Sequence, residues 1–199
     1  MQKNIRDRSA LLLVAPLVAS CLNPQRADGP AGWLREANPA PLSIRVTLDG
    51  LDAGSRVASE SVFSGFGCTG KNQSLGVRWT PVPAAKSYAL ILHDPDAPTG
   101  VGFFHWVVLD LPPETTALPV GASGHALPAG TLEAHTDFGV AGYGGPCPPP
   151  GSPHRYEVTV YAVNQRSLGL GVGATAALAR FMLSQHALAI GRASATYSR

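Results

Sequence analysis

The chain has 199 residues, 45% of them hydrophobic and 14% charged, enough apolar content for one domain with a sizeable core. Its formal net charge is +2, and loss of residues 1–20 would take three of the 15 basic and one of the 13 acidic residues, leaving twelve of each, which gives no support to a nucleic-acid-binding surface. With 22 glycines and 18 prolines, short strands joined by many turns are favoured over a helical bundle.

At the N-terminus Lys3, Arg6 and Arg8 precede an apolar run from Ala10 to Ala19, too short to span a bilayer and suited to a secretory signal. The run closes on Val18-Ala19-Ser20-Cys21, which resembles a bacterial lipobox. Such a signal implies cleavage before Cys21 and acylation of its sulfur and new amine. Several acyl chains hold a protein far more firmly than one, at about 0.8 kcal/mol per buried CH₂. Residues 21–41 are rich in proline, glycine and small residues and are expected to be a flexible tether, with the folded domain over 42–199.

Leu42 to Leu48 alternates apolar and polar residues, as a half-exposed strand does. The turn-rich stretch Phe63 to Asn72 leads to Val77-Arg78-Trp79. Within it Gly65 to Gly70 has the spacing G-x-G-x-x-G but opens no helical pattern, so a dinucleotide site lacks its context. Ser87 to His93 is a short apolar run that reads as a buried strand, ended by Asp94-Pro95-Asp96-Ala97-Pro98-Thr99-Gly100, whose prolines and glycine cannot continue a ladder. Trp106 to Leu111 reads as the next strand, with His105 at its start.

A proline-stiffened loop, Gly142-Tyr143-Gly144-Gly145-Pro146-Cys147-Pro148-Pro149-Pro150, then leads to His154 and a strand from Arg155 to Val163. Tyr156, Val158, Val160 and Ala162 share one of its faces, and Glu157, Thr159, Tyr161 and Val163 the other. Thr175 to Ile190 carries Leu178, Phe181, Met182 and Leu188 at helical spacing, with Thr175 as N-cap and Gly191 as stop, and predicts an amphipathic helix packed through those residues. A last strand is expected over Ala193–Tyr197.

If the strands ending at His93 and starting at Trp106 pair antiparallel, and the strand from Arg155 runs in the same direction as the second, then Asp94, Asp96, His105, His154 and Tyr156 meet at one sheet edge. The chain contains no G-x-S-x-G, H-E-x-x-H or C-x-x-C, the commonest hydrolase, metalloprotease and redox signatures.

Four ordered segments, Asp94-Pro95-Asp96-Ala97-Pro98, His105-Trp106-Val107-Val108, Gly142 to Gly151 and His154-Arg155-Tyr156, resemble the phosphatidylethanolamine-binding protein family in its bacterial Raf-kinase-inhibitor-like branch. The resemblance spans roughly Leu42 to Arg199. It implies an all-β-dominated fold, a Greek-key β-sandwich with one C-terminal amphipathic helix, and a small anion pocket lined by Asp94, Asp96, His105, His154 and Tyr156. Gly144, Gly145 and Pro146 are expected to close its rim with backbone, and Trp106 to pack beneath it. No cofactor or required metal is implied.

The expected activity is therefore binding, not catalysis: a phosphate or phospholipid-headgroup anion held by imidazolium and phenol donors, with the aspartates orienting each imidazole and favouring its charged form. On that reasoning both histidines would titrate above about 6.5 and binding would strengthen below it. Two alternatives stand beside it: a hydrolase using the His/Asp cluster, with Ser152 or Cys147 as nucleophile or a His₂Asp₂ zinc, or an inhibitor of a protein partner such as a kinase or protease. Location in the bacterial cell envelope, facing the periplasm or exterior, follows from the lipobox. There Cys68 and Cys147, the two cysteines beyond the leader, form either a disulfide or two separate thiols.

Overall fold

The structure is a computed structural model that describes residues 42–199; the expected signal segment, Cys21 and the tether lie outside the described residues. The described elements in chain order are β1 (Leu42–Ser43), β2 (Val46–Asp49), β3 (Leu51–Asp52), β4 (Arg56–Val57), β5 (Ser64–Gly65), β6 (Cys68–Thr69), β7 (Gly76–Trp79), β8 (Ser87–Asp94), β9 (Phe103–Leu111), β10 (Ala117–Leu118), β11 (Leu132–Glu133), β12 (His154–Val163), α1 (Ala176–His186) and β13 (Ala187–Tyr197).

The main sheet runs β11-β9-β8-β12-β13-β4-β3, with β1 beside β13, and a smaller sheet runs β10-β7-β2. The apolar run of β8 is nearly continuous because both of its faces are covered. On one side Tyr88, Leu90 and Leu92 join Trp106, Val108, Tyr156, Val158 and Val160 against Val46, Val77, Trp79 and Leu118, the core between the two sheets. On the other side Ala89 and Ile91 join Phe104, Val107, Leu109, Tyr161 and Val163 against α1. The β-sandwich with one C-terminal helix is thus the observed architecture, and the two faces expected for β12 are the faces found.

Three expectations need correction. Leu42 to Leu48 is not one strand: it pairs with β13 at Leu42↔Ala189, then crosses to the smaller sheet, where Val46 pairs with Trp79. The helix keeps its N-cap, since Thr175 Oγ1 accepts a hydrogen bond from Leu178 N at 3.2 Å, but it ends at His186 and packs through Ala176, Ala179 and Leu183. Leu178 and Phe181 are 44% and 62% exposed. Two alanines let the helix axis lie close to the sheet, and a stripe of larger side chains would hold it off.

Gly191 does not stop the helix. It sits inside β13, where a Cβ would stand 2.4 Å from the Ile44 carbonyl oxygen, so only glycine admits the crossing chain. The last strand accordingly starts at Ala187.

Candidate functional site

β12 and β9 are both antiparallel to β8 and so run in the same direction, which brings the starts of β9 and β12 beside the end of β8. His93 pairs with Phe104 on one side and Glu157 on the other. Along β8 the even-numbered side chains face the inter-sheet core, so Asp94 points into that side while His93 turns to the helix side and stacks on Phe104 at 4.4 Å.

His105 reaches the same side by a β-bulge. Leu92 pairs with Trp106 and His93 with Phe104, leaving His105 as the extra residue of β9. A regular strand would place His105 and Trp106 on opposite faces; the bulge aims both the same way. Trp106 is wholly buried, and its Nε1 donates to Glu133 Oε1 at 2.6 Å.

Asp94 is 3% exposed and each carboxylate oxygen has a partner: Oδ2 accepts from His154 Nδ1 at 2.7 Å and Oδ1 from the backbone N–H of Asp96 at 2.9 Å. His154 is therefore oriented by a carboxylate, and its Nε2 has no protein partner among the described residues. Tyr156 is wholly buried, its ring edge-on to His105 at 5.2 Å, and its hydroxyl stands beside the Asp94 carboxylate without a hydrogen bond of good geometry. Burial first, then the nearby charge of Asp94, pushes its phenol above the ordinary range, so it stays a donor.

His105 departs from the expectation. Its ring is 4% exposed, and burial holds it down to about 4, outweighing the Gly144 hydrogen bond and the charge of Asp94, both of which act upward. It is a neutral imidazole near pH 7, not the imidazolium expected beside a carboxylate. Its Nδ1 lies 2.7 Å from the Gly144 carbonyl oxygen, while Gly144 N donates back to the His105 carbonyl at 2.9 Å.

That reciprocal pair needs the Gly-Gly backbone close in. A Cβ on Gly144 would fall 2.2 Å from the Phe138 ring, and one on Gly145 2.2 Å from the Ser61 carbonyl. Asn72 fixes the same segment, donating through Nδ2 to the Tyr143 carbonyl at 3.0 Å and accepting from Gly145 N at 2.7 Å.

Asp94, His105, His154 and Tyr156 line one cavity of about 160 Å³. Its walls are otherwise largely apolar: Phe66, Phe103 and Phe138, the loop Ala97-Pro98-Thr99, and Cys147-Pro148-Pro149. Asp96, Gly145 and Pro146 are not among its lining residues. Asp96 turns outward and clamps Arg155, accepting from its Nη2 at 2.7 Å, its Nε at 3.0 Å and its backbone N at 2.8 Å, contacts that hold the carboxyl down at about 2. The Gly145-Pro146 backbone is tied to other segments, the Pro146 carbonyl accepting from Phe63 N at 3.1 Å.

Cys68 and Cys147 are bonded, with an S–S distance of 2.06 Å. The bond ties the proline-rich loop to the β5–β6 hairpin that carries Phe66, and Cys147 is no longer a thiol nucleophile. Among the described residues no group of three or more His, Cys, Asp or Glu side chains is placed to hold a metal ion. Sequence reasoning passed over the three phenylalanines. Phe103 could have been found two positions before His105 on the same strand; Phe66 and Phe138 carry no local signal.

The sequence profile described as phosphatidylethanolamine-binding protein matches residues 53–198. The chain is 39% identical over 160 residues to the UPF0098 protein YbcL of Escherichia coli, covering 78% of this chain and 87% of YbcL, and 40% identical over 158 residues to YbhB of the same organism, covering 78% and 100%. The crystal structure of YbcL, described as a new member of the mammalian PEBP family, superposes with a TM-score of 0.75 at 38% identity over 78% of this chain and 98% of that one. LppC of Mycobacterium tuberculosis, provisionally named a lipoprotein, is 33% identical over 133 residues, 66% of this chain and 63% of LppC.

Proposed function

Because the chain belongs to the phosphatidylethanolamine-binding protein family, in the branch of YbcL and YbhB, we propose that it is a non-enzymatic binding protein whose cavity takes a small phosphate-type anion, free or as a phospholipid headgroup. The observation that carries this reading is the convergence of three strand ends on one small cavity where the Tyr156 hydroxyl makes no hydrogen bond of good geometry and His154 is oriented by Asp94. A phenol that stays protonated is a donor suited to an oxyanion, and an imidazole whose Nδ1 is fixed on a carboxylate leaves its Nε2 for the guest.

The protein is assigned to the bacterial cell envelope, held through an acylated Cys21. Its disulfide fits an oxidising compartment, and the likeness to LppC points the same way. Mass spectrometry of the membrane-extracted protein should find the mature N-terminus at a lipid-modified Cys21, and an unmodified chain starting at Met1 would remove the anchor.

Calorimetric titration with inorganic phosphate and with phosphoethanolamine tests the binding reading. Both should bind at one site, Tyr156→Phe should weaken binding roughly twofold to tenfold through the lost hydrogen bond, and His154→Ala should weaken it further. Absence of binding by either anion at millimolar concentration would reject the proposal. Turnover of generic phosphomonoester or carboxylic ester substrates would reject its non-enzymatic part.

A further inference from the structure

Resting on that reading, we infer that the cavity selects anions bringing a hydrogen-bond donor of their own, a P–OH group or an ammonium, over anions that only accept. The reason is the polarity of His105. The Gly144 carbonyl 2.7 Å from Nδ1 can only accept, so Nδ1 carries the ring hydrogen and the Nε2 of the neutral ring is a lone pair. The ring cannot exchange its nitrogens by turning over without losing this bond, and it is packed between Phe103 at 5.1 Å, Phe138 at 5.6 Å and Tyr156 at 5.2 Å. Burial independently opposes protonation of the second nitrogen.

Among the described residues no protein donor meets Nε2. Gly144 N–H is spent on the His105 carbonyl. The Tyr156 hydroxyl is the complementary group, a donor beside the Asp94 carboxylate that makes no hydrogen bond of good geometry. Beside His154, these two side chains present an acceptor and a donor, and a guest satisfies both by accepting from Tyr156 and donating to His105.

Sulfate and a phosphodiester carry no proton near neutral pH, so either would leave the His105 lone pair desolvated and facing negative oxygen. A site with a buried polar group left unmatched discriminates strongly against the guest that leaves it so. Phosphate and phosphomonoesters carry P–OH in their monoanionic form, and an ethanolamine headgroup carries N–H instead. The shared chemistry is one donor beside an anionic oxygen.

Two measurements test this. Nitrogen-15 NMR of the ligand-free protein at neutral pH should show His105 protonated at Nδ1 and bare at Nε2; an Nε2–H tautomer or an imidazolium would overturn the inference without touching the anion-binding proposal. Calorimetry at about pH 6, near the second pKa of a phosphomonoester, then compares inorganic phosphate, sulfate, dimethyl phosphate and glycerophosphoethanolamine. Sulfate and dimethyl phosphate should bind roughly tenfold to a hundredfold more weakly than phosphate. Glycerophosphoethanolamine binding well above dimethyl phosphate would identify the donor as a headgroup ammonium, and its failure beside tight phosphate binding would identify it as P–OH. Equal affinity for all four would overturn the selection and leave anion binding standing, and no binding by any of them would overturn both.

Discussion

Replacing Cys68 and Cys147 together by serine should destabilise the domain by about 4–5 kcal/mol, the largest single loss expected from a substitution outside the core. The bond closes a loop of 79 residues. For that length the loop-entropy relation gives about −15 cal/mol/K, or about 4.5 kcal/mol near room temperature. Both cysteines are only partly buried, so the serine hydroxyls can be hydrated in the folded state and add little penalty of their own. Equilibrium urea unfolding follows the change through the buried indoles of Trp79 and Trp106. In a thermal melt the same loss should appear as a fall of roughly 10–18 °C for a domain of this size. The cavity should survive, because Asn72 and Phe63 still hold the Gly145-Pro146 backbone. A loss below about 1 kcal/mol would refute the reasoning that the bridge acts by restricting the unfolded chain.

Acid should destabilise the protein through His105. Its ring takes up a proton more readily when unfolded, near 6.5, than when folded, near 4, so protons favour the unfolded chain across that window and stability falls as pH drops through it. The full effect is about 3 kcal/mol at about 1.4 kcal/mol per pH unit of difference, and His105→Gln should flatten the profile; urea midpoints that do not move between those pH values would count against it. Asp96→Ala should leave phosphate affinity within about twofold and cost no more than about 1 kcal/mol of stability, since its pair with Arg155 is solvent-screened; a tenfold loss of affinity in the same titration would return Asp96 to the site. On the helix, Leu183→Ala should cost about 2–4 kcal/mol and Phe181→Ala less than about 0.5 kcal/mol in chemical denaturation, and the reverse order would mean that the helix packs through its large residues.

Much of the site was legible because its signals are local. A run such as Ser87 to His93 ended by Asp94-Pro95 marks a buried strand and its end within a few residues, and the alternation of Tyr156 to Ala162 names a face without reference to any neighbour. Four of the five polar groups expected at that sheet edge line one cavity because strand direction propagates: two strands antiparallel to β8 must start together. Asp94 and Asp96 could not be told apart in this way. Both stand in one short motif, yet Asp94 ends a strand on its inward parity while Asp96 lies beyond the turn, where Arg155 takes it.

Sequence alone determined the periodicity of the strands, the places where chain stiffness ends them, the pair of cysteines and the set of polar groups at one sheet edge. Tertiary structure alone decided that a bulge turns His105 inward, that Phe66 and Phe138 wall the cavity from distant segments, and that the helix packs through alanines. It also decided the charge of His105, which a neighbouring carboxylate would raise and burial lowers more. Periods and turns are properties of the backbone over a few residues; facing, desolvation and protonation depend on which remote atoms close around a group, and no local pattern carries that.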